Sequence, residues 1–150
     1  MKVWIQRVVR GAVEVEGQPE VTIGRGFVAL VAFQRGDTAE EAERMAERTV
    51  RLRIFDDEAG KMNRSLLDVG GAILAVPQFT LYAETDHGHR PGFSLAAPPD
   101  EAAPLFDRYV AALRHRLGPD RVRTGRFRSA MRVTIVNDGP VSIELKSRSG

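Results

Sequence analysis

The segment Gly70–Leu81, GGAILAVPQFTL, constrains the fold more than any other part of the chain. A glycine pair leads into five small or apolar residues, Ala72 to Val76, and then into Pro77. Proline has no N–H to give to a ladder, so a buried strand is not expected to run through it. The pattern predicts a core strand over Ile73–Val76, broken or bulged at Pro77, with Gln78, Phe79 and Thr80 emerging at its end. A break of that kind turns side chains and free backbone N–H groups into a cleft. The plainer alternative is an edge strand carrying an ordinary β-branched threonine, and pattern alone favours it.

The remaining elements are arranged around that strand. Lys2 to Arg10 alternates, with Val3, Ile5 and Val9 on one face and Trp4, Gln6 and Val8 on the other. Arg7 falls in the apolar row between Ile5 and Val9, where a charge needs a partner or a cleft. Gly11 interrupts this strand and Ala12–Glu16 resumes it. After a turn at Gly17–Pro19 and a short strand through Val21 and Ile23, the run FVALVAF (Phe27–Phe33) reads as a strand buried on both faces. Asp37 is expected to cap a helix, with Glu40 in capping-box position and Ala42, Met45, Ala46 and Thr49 on its inner face. A strand over Leu52–Phe55 and a polar loop over Lys61–Gly71 follow. A second helix starts near Pro99 or Asp100, carries Leu105, Tyr109, Ala112, Leu113 and Leu117 on one stripe, and stops at Gly118–Pro119. Two last strands, Arg132–Val136 and Val141–Leu145, flank a turn at Asn137–Pro140, and the tail KSRSG reads as frayed. This order argues a single α+β domain over residues 1–150, with two main helices and a mixed or antiparallel sheet.

Composition enters by exclusion. There are no cysteines, which removes disulfides, thiol catalysis and cysteine zinc sites. No apolar run approaches the ~20 residues needed to span a bilayer, and the first ten residues alternate instead of forming a secretory core. A cytoplasmic protein without a membrane role is the simplest reading. G-x-S-x-G, Walker, Rossmann and H-E-x-x-H patterns are absent, and the three histidines do not suggest a Ser-His-Asp triad. His87 and His89 stand in H-x-H spacing beside Asp86 without an evident third ligand, so a mobile basic loop is preferred to a metal site. Metal-free, cofactor-free chemistry or plain binding remains.

Two places are suited to a small ligand. At Gln78–Thr80 an amide, a hydroxyl and backbone N–H groups are available, the last as an oxyanion hole. At Asp138–Gly139–Pro140 the X-Pro bond is of the type that can be cis, or the segment is simply a hairpin turn. Net charge is only +2, yet seven arginines from Arg114 to Arg132 face the single acid Asp120. Such a cluster suits RNA or another polyanion, and suits equally a solvated arginine-rich face of a heat-adapted protein.

Taken together, PQFTL (Pro77–Leu81) and NDGPVS (Asn137–Ser142) resemble the paired signatures of the D-aminoacyl-tRNA deacylases, SQFTL and NxGPVT. IQRV (Ile5–Val8), LRIFDDEAGKMNRSLLDVGG (Leu52–Gly71), Arg90–Pro91 and TGRF (Thr124–Phe127) extend the likeness over nearly the whole chain. The resemblance implies an enzyme that hydrolyses the ester between a D-amino acid and the tRNA 3′ end, and that also cleaves glycine from mischarged tRNA. It implies α+β subunits in a homodimer with both active sites at the interface. Gly139 and Pro140 would form a cis pair that reaches the neighbouring subunit's pocket and excludes L side chains. Arg7 would orient that pair, while Gln78, Phe79 and Thr80 would surround the aminoacyl group, with Thr80 a pocket residue and not a nucleophile. Pro77 stands where the family has serine, Gly92 where it has serine, Ser142 where it has threonine, and Arg128–Ser129 where it has glycine and alanine. His87 and His89 stand where lysine or arginine is frequent and would touch tRNA phosphate. The rival readings are an RNA-binding module without catalysis and a hydrolase of small amino-acid esters.

Overall fold

The alternating N-terminal stretch forms one long strand. In the computed structural model, which describes residues 1–147, β1 (Lys2–Val15) is the spine of the main sheet. One edge pairs antiparallel with β8 (Met131–Lys146), from Lys2 opposite Lys146 to Val15 opposite Met131. The other edge is shared by β3 (Gly26–Ala32) along its first half and β2 (Val21–Ile23) near its end, both antiparallel. β6 (Ala72–Pro77) adds parallel to β3, and β7 (Val122–Thr124) adds parallel to β6. The sheet is therefore mixed, and β3, β6 and β7 open their C-terminal ends on the same side.

β3 and β6 are central because their side chains are apolar in both directions. Phe27, Ala29, Val31, Ile73 and Ala75 face the larger core, with α1 (Ala39–Arg51) and α3 (Pro99–Leu117) packed over it. Val28, Leu74 and Val76 face a second apolar cluster with Val8, Val13 and Ile23. The two strands meet closely at Gly26, where a Cβ would lie 1.7 Å from the Ala72 carbonyl oxygen. Between the helices, the Tyr109 and Thr49 hydroxyls are 2.9 Å apart in full burial, and Thr49 also donates to the Met45 carbonyl at 2.7 Å. A small hairpin, β4 (Arg53–Asp56) and β5 (Met62–Ser65), leads into the single-turn helix α2 (Leu66–Val69). It contributes Phe55, whose ring stacks on Phe27 at 5.2 Å. No helix among the described residues is long and apolar enough to cross a membrane.

Several expectations shift locally. The α1 cap is Thr38, with Glu41 completing the capping box; Asp37 instead accepts the Gln34 N–H at 2.8 Å and closes the preceding turn. Thr38 takes the cap because it is the last extended residue, at φ −113° and ψ 159°. Lys61–Gly71, expected as a loop, contains β5 and α2, the latter capped by Ser65 and Asp68. The inner stripe of α3 runs through Ala102, Phe106, Tyr109, Val110, Leu113 and Leu117, leaving Leu105 half-buried; the helix begins at Pro99 and tolerates Pro104 inside it. β1 is not interrupted at Gly11; a Cβ there would come within 2.6 Å of a Val28 methyl, so the glycine lets side chains from β3 approach. Irregularities against β8 between Gln6 and Arg10 shift the phase of the strand. Val8 keeps the face opposite Val3 and Ile5 and is buried in the second cluster, whereas Val9, at the irregularity, is 52% exposed instead of joining Val3 and Ile5 in the core. β8 itself continues through Asn137–Pro140 as a bulge, with five steps from Asn137 to Ser142 opposite two steps of β1 from Gln6 to Val8, so these residues are not a hairpin turn. Of the tail, Lys146 ends β8 and Ser147 is buried, while residues 148–150 lie outside the described residues.

Candidate active site

The predicted break in the central strand falls one residue later than expected. Pro77 is the last residue of β6, opposite Val31, and the Gln78 N–H donates to the Val31 carbonyl at 2.8 Å. The chain then closes into a 3-10 turn, Phe79–Tyr82. Tyr82 anchors this turn: it is buried under Lys2, whose ammonium lies 4.7 Å from the ring centroid and donates to the Leu81 carbonyl at 3.2 Å. Its hydroxyl has no partner among the described residues. Burial, followed by the charges of Asp37, Glu144 and Glu41, raises the phenol's pKa well above its ordinary value, so it stays neutral. At the start of the turn the N–H groups of Phe79 and Thr80 have no intrahelical acceptor. Backbone N–H groups of this kind are able to stabilise an oxyanion.

Beside this turn is a cavity of about 680 Å³, predominantly apolar, whose lining includes Pro77, Gln78, Phe79, Phe93, Phe127 and Met131. Phe79, 57% exposed, meets Phe93 edge to face at 5.1 Å. Thr80 is not part of the lining; its hydroxyl is hydrogen-bonded to the Gln78 side-chain amide. That pairing orients Gln78 but supplies no base to activate the threonine. A second recess, of about 840 Å³, lies at the turn between β1 and β2 with Glu14, Glu16 and Arg132 around it, and holds none of the motif residues.

Arg7, Gly139 and Pro140 form a separate cluster. The Arg7 guanidinium, nearly buried, donates to the Ile54 carbonyl at 2.7 Å and to the Asp138 carbonyl at 3.0 Å. The carboxylates of Asp138 and Asp56 lie at 3.5 and 3.7 Å. A Cβ on Gly139 would stand 3.1 Å from the Arg7 Nη2, which places the guanidinium directly against this residue. Gly139 has φ +126° and the Gly139–Pro140 peptide is cis. The sheet fixes the separation between the two clusters. Three strand spacings of ~4.8 Å and five residues of ~3.3 Å put Gly139 on the order of 20 Å from Gln78, measured over the sheet.

The arginine cluster expected as a unit is dispersed. Arg116 pairs with Glu47 on α1 at 3.2 Å, Arg121 donates to the Leu117 carbonyl, and Arg132 lies opposite Glu14 on β1. Only Arg126 and Arg128 reach the cavity, joined there by Arg35, which sequence pattern did not single out. His87 and His89 are exposed, and no three His, Asp or Glu side chains among the described residues converge as a metal site.

The α+β domain sets an apolar cavity and N–H donors without an intrahelical acceptor at the ends of parallel strands, the frame of a domain able to hold a small ligand. Residues 4–146 match the family described as D-Tyr-tRNA(Tyr) deacylase. The chain is 49% identical over 147 residues to a D-aminoacyl-tRNA deacylase of Chlorobaculum tepidum, covering 98% of this chain and 97% of that protein. It is 51% identical over 150 residues to the D-aminoacyl-tRNA deacylase of Heliobacterium modesticaldum, covering 100% and 99%. A solved structure described as c-Myc DNA Unwinding Element Binding Protein superposes with a TM-score of 0.92 at 40% identity, over 98% of this chain and 99% of that one. A probable eukaryotic D-amino acid tRNA deacylase superposes with a TM-score of 0.78 at 22% identity, over 96% and 98%, a likeness of fold alone. The chain belongs to the D-Tyr-tRNA(Tyr) deacylase family.

Proposed function

We propose that this chain hydrolyses the ester joining a D-amino acid to the 3′ end of tRNA, releasing free D-amino acid and tRNA, and that it removes glycine mischarged on tRNA(Ala) at the same site. The observation that carries this reading is the Phe79–Tyr82 turn, whose first N–H donors stand beside a cavity large enough for an aromatic side chain. Water attacks the ester carbonyl, and the oxyanion that forms is held by the N–H groups of Phe79 and Thr80. The 2′-OH of the terminal ribose assists departure of the 3′ oxygen. Gln78, Phe79 and Pro77 orient the aminoacyl group, and Thr80 acts through Gln78.

Chirality is set by rejection. Arg7 holds Gly139 and Pro140 so that their carbonyls occupy the space an L side chain would need. Since that pair and the Gln78 turn are on the order of 20 Å apart in one chain, the pocket is completed by a second copy. The outer edge of β8 supports a homodimer of this kind, because β1 is its only partner strand among the described residues. Val136 and Val9 are exposed on the same stretch, near Gly139.

The test is release of labelled D-tyrosine from D-Tyr-tRNA, compared with L-Tyr-tRNA, with and without a chelator. Loss of the D ester alone, at the same rate with chelator, is expected. Binding of tRNA without hydrolysis of either ester would replace the proposal with an RNA-binding module. Equal activity on small D-amino-acid esters would make the tRNA dispensable.

A further inference from the structure

Three strand ends set the mouth of the cavity. β3, β6 and β7 run parallel, so the residues following each emerge at one border of the sheet. Arg35 follows β3, Gln78 and Phe79 follow β6, and Arg126 and Arg128 follow β7, and all five line the cavity. The three arginines are exposed, and none forms an ion pair among the described residues. Their backbones are nonetheless fixed. Arg35 bonds to the Leu95 carbonyl through its N–H and to the Ser94 carbonyl through Nε, both at 3.2 Å. The 125–131 segment is tied by the Gly125 N–H to the Ala75 carbonyl at 2.9 Å, and by the edge-to-face contact of Phe127 with Phe106 at 5.3 Å. With Phe127 turned inward, its two arginine neighbours are left outside.

Arg128 stands out further. It has φ +56°, and no other non-glycine residue among those described has a positive φ. Glycine or asparagine suits that region, and arginine has no side-chain route to relieve it. A long cation kept against its backbone preference at a cavity mouth is an outlier from which a function is argued.

We propose that Arg35, Arg126 and Arg128 clamp the phosphodiester backbone of the single-stranded 3′ end of tRNA, with Arg128 the main contact. The proposal rests on the deacylase reading for where the chain of the ligand leaves: with the aminoacyl group in the cavity, the phosphates 5′ of the terminal nucleoside pass through this mouth. Guanidinium forks match phosphate oxygens in pairs, and these three have no carboxylate partner to give up. β3 and β7 are two strand spacings apart, about 10 Å, so a single strand passes between Arg35 and the other two.

The test is binding of uncharged tRNA, by fluorescence anisotropy over a salt series, to the wild type and to Arg128→Gly, Arg128→Asn and Arg128→Lys. Glycine and asparagine accept the left-handed backbone, so those variants keep or raise the melting temperature and report on the charge. Each is expected to bind about tenfold more weakly and to flatten the log–log salt slope by about 0.7 per phosphate lost, while lysine restores the slope. Unchanged affinity and slope in the glycine and asparagine variants would overturn the clamp. So would a lysine variant with the glycine variant's slope, or a wild type that does not bind uncharged tRNA. No ester is cleaved in this measurement, so it is independent of the deacylase reading, which fails separately if D-Tyr-tRNA is not hydrolysed.

Discussion

At Arg7 a nearly buried guanidinium is held chiefly by two backbone carbonyls, those of Ile54 and Asp138, with two carboxylates at longer range. Replacing it with methionine leaves both carbonyls short of a donor. Arg7→Met should therefore lower stability by roughly 2–4 kcal/mol, read from urea unfolding. Arg7→Lys should recover only part of this, because an ammonium cannot reach both carbonyls as a fork does. In the folded fraction of either variant, selectivity for D-Tyr-tRNA over L-Tyr-tRNA should fall before turnover of the D ester does. Thr80 gives the opposite expectation. Its hydroxyl touches Gln78 and lies outside the cavity lining, so Thr80→Ala should keep activity within about tenfold, whereas loss of a true nucleophile costs on the order of 10⁶. Single-turnover kinetics decide between these, and a trapped acyl-enzyme would contradict the proposal.

Among the elements, the helix ends and the α1–α3 contact are the most direct to test. Tyr109→Phe removes one partner of a fully buried pair, yet Thr49 keeps its bond to Met45; a loss of about 1 kcal/mol in thermal or urea unfolding is expected. At α2, the Asp68 carboxyl accepts the Ser65 N–H and is held below its ordinary 3.8 by that bond first, then by the Ser65 side chain. A depressed carboxyl contributes stability that is complete above its ordinary value and disappears as pH falls through the lower folded value. Wild type should accordingly lose stability below about pH 3.8 more steeply than Asp68→Asn, as acid titrations followed by circular dichroism would show. These elements were legible to different degrees. FVALVAF reads as a two-faced strand because every residue in it is apolar, and the site reads through because Pro77 ends β6. The α1 cap is displaced by one because Asp37 and Thr38 are both capping residues with a glutamate three positions on, so only backbone angles decide. Asn137–Pro140 carries every mark of a turn but lies within β8 as a bulge, because the stretches on both sides of it pair with β1, over a hundred residues away. Arg35 was invisible for the same reason: it nears Arg126 only through the parallel pairing of β3, β6 and β7.

For the whole molecule, a completed pocket should depend on association. Val136→Glu places a charge on the exposed stretch of β8 next to the Gly139 segment. Sedimentation should then show a folded monomer, and hydrolysis of D-Tyr-tRNA should disappear; a dimeric variant with full activity would locate the contact elsewhere. The ladder between β1 and β8 has a consequence for synthesis. The strand that forms the spine is translated first, and the partner covering one whole edge of it is translated more than a hundred residues later. Until the codons for Met131–Lys146 have been read, β1 has no intramolecular way to satisfy that edge, and its long-range closure belongs to the slow, millisecond-to-second class of folding. The nascent chain thus spends most of its time on the ribosome as an open template, and its vulnerability to aggregation or proteolysis is set by the pace of translation through its last strand.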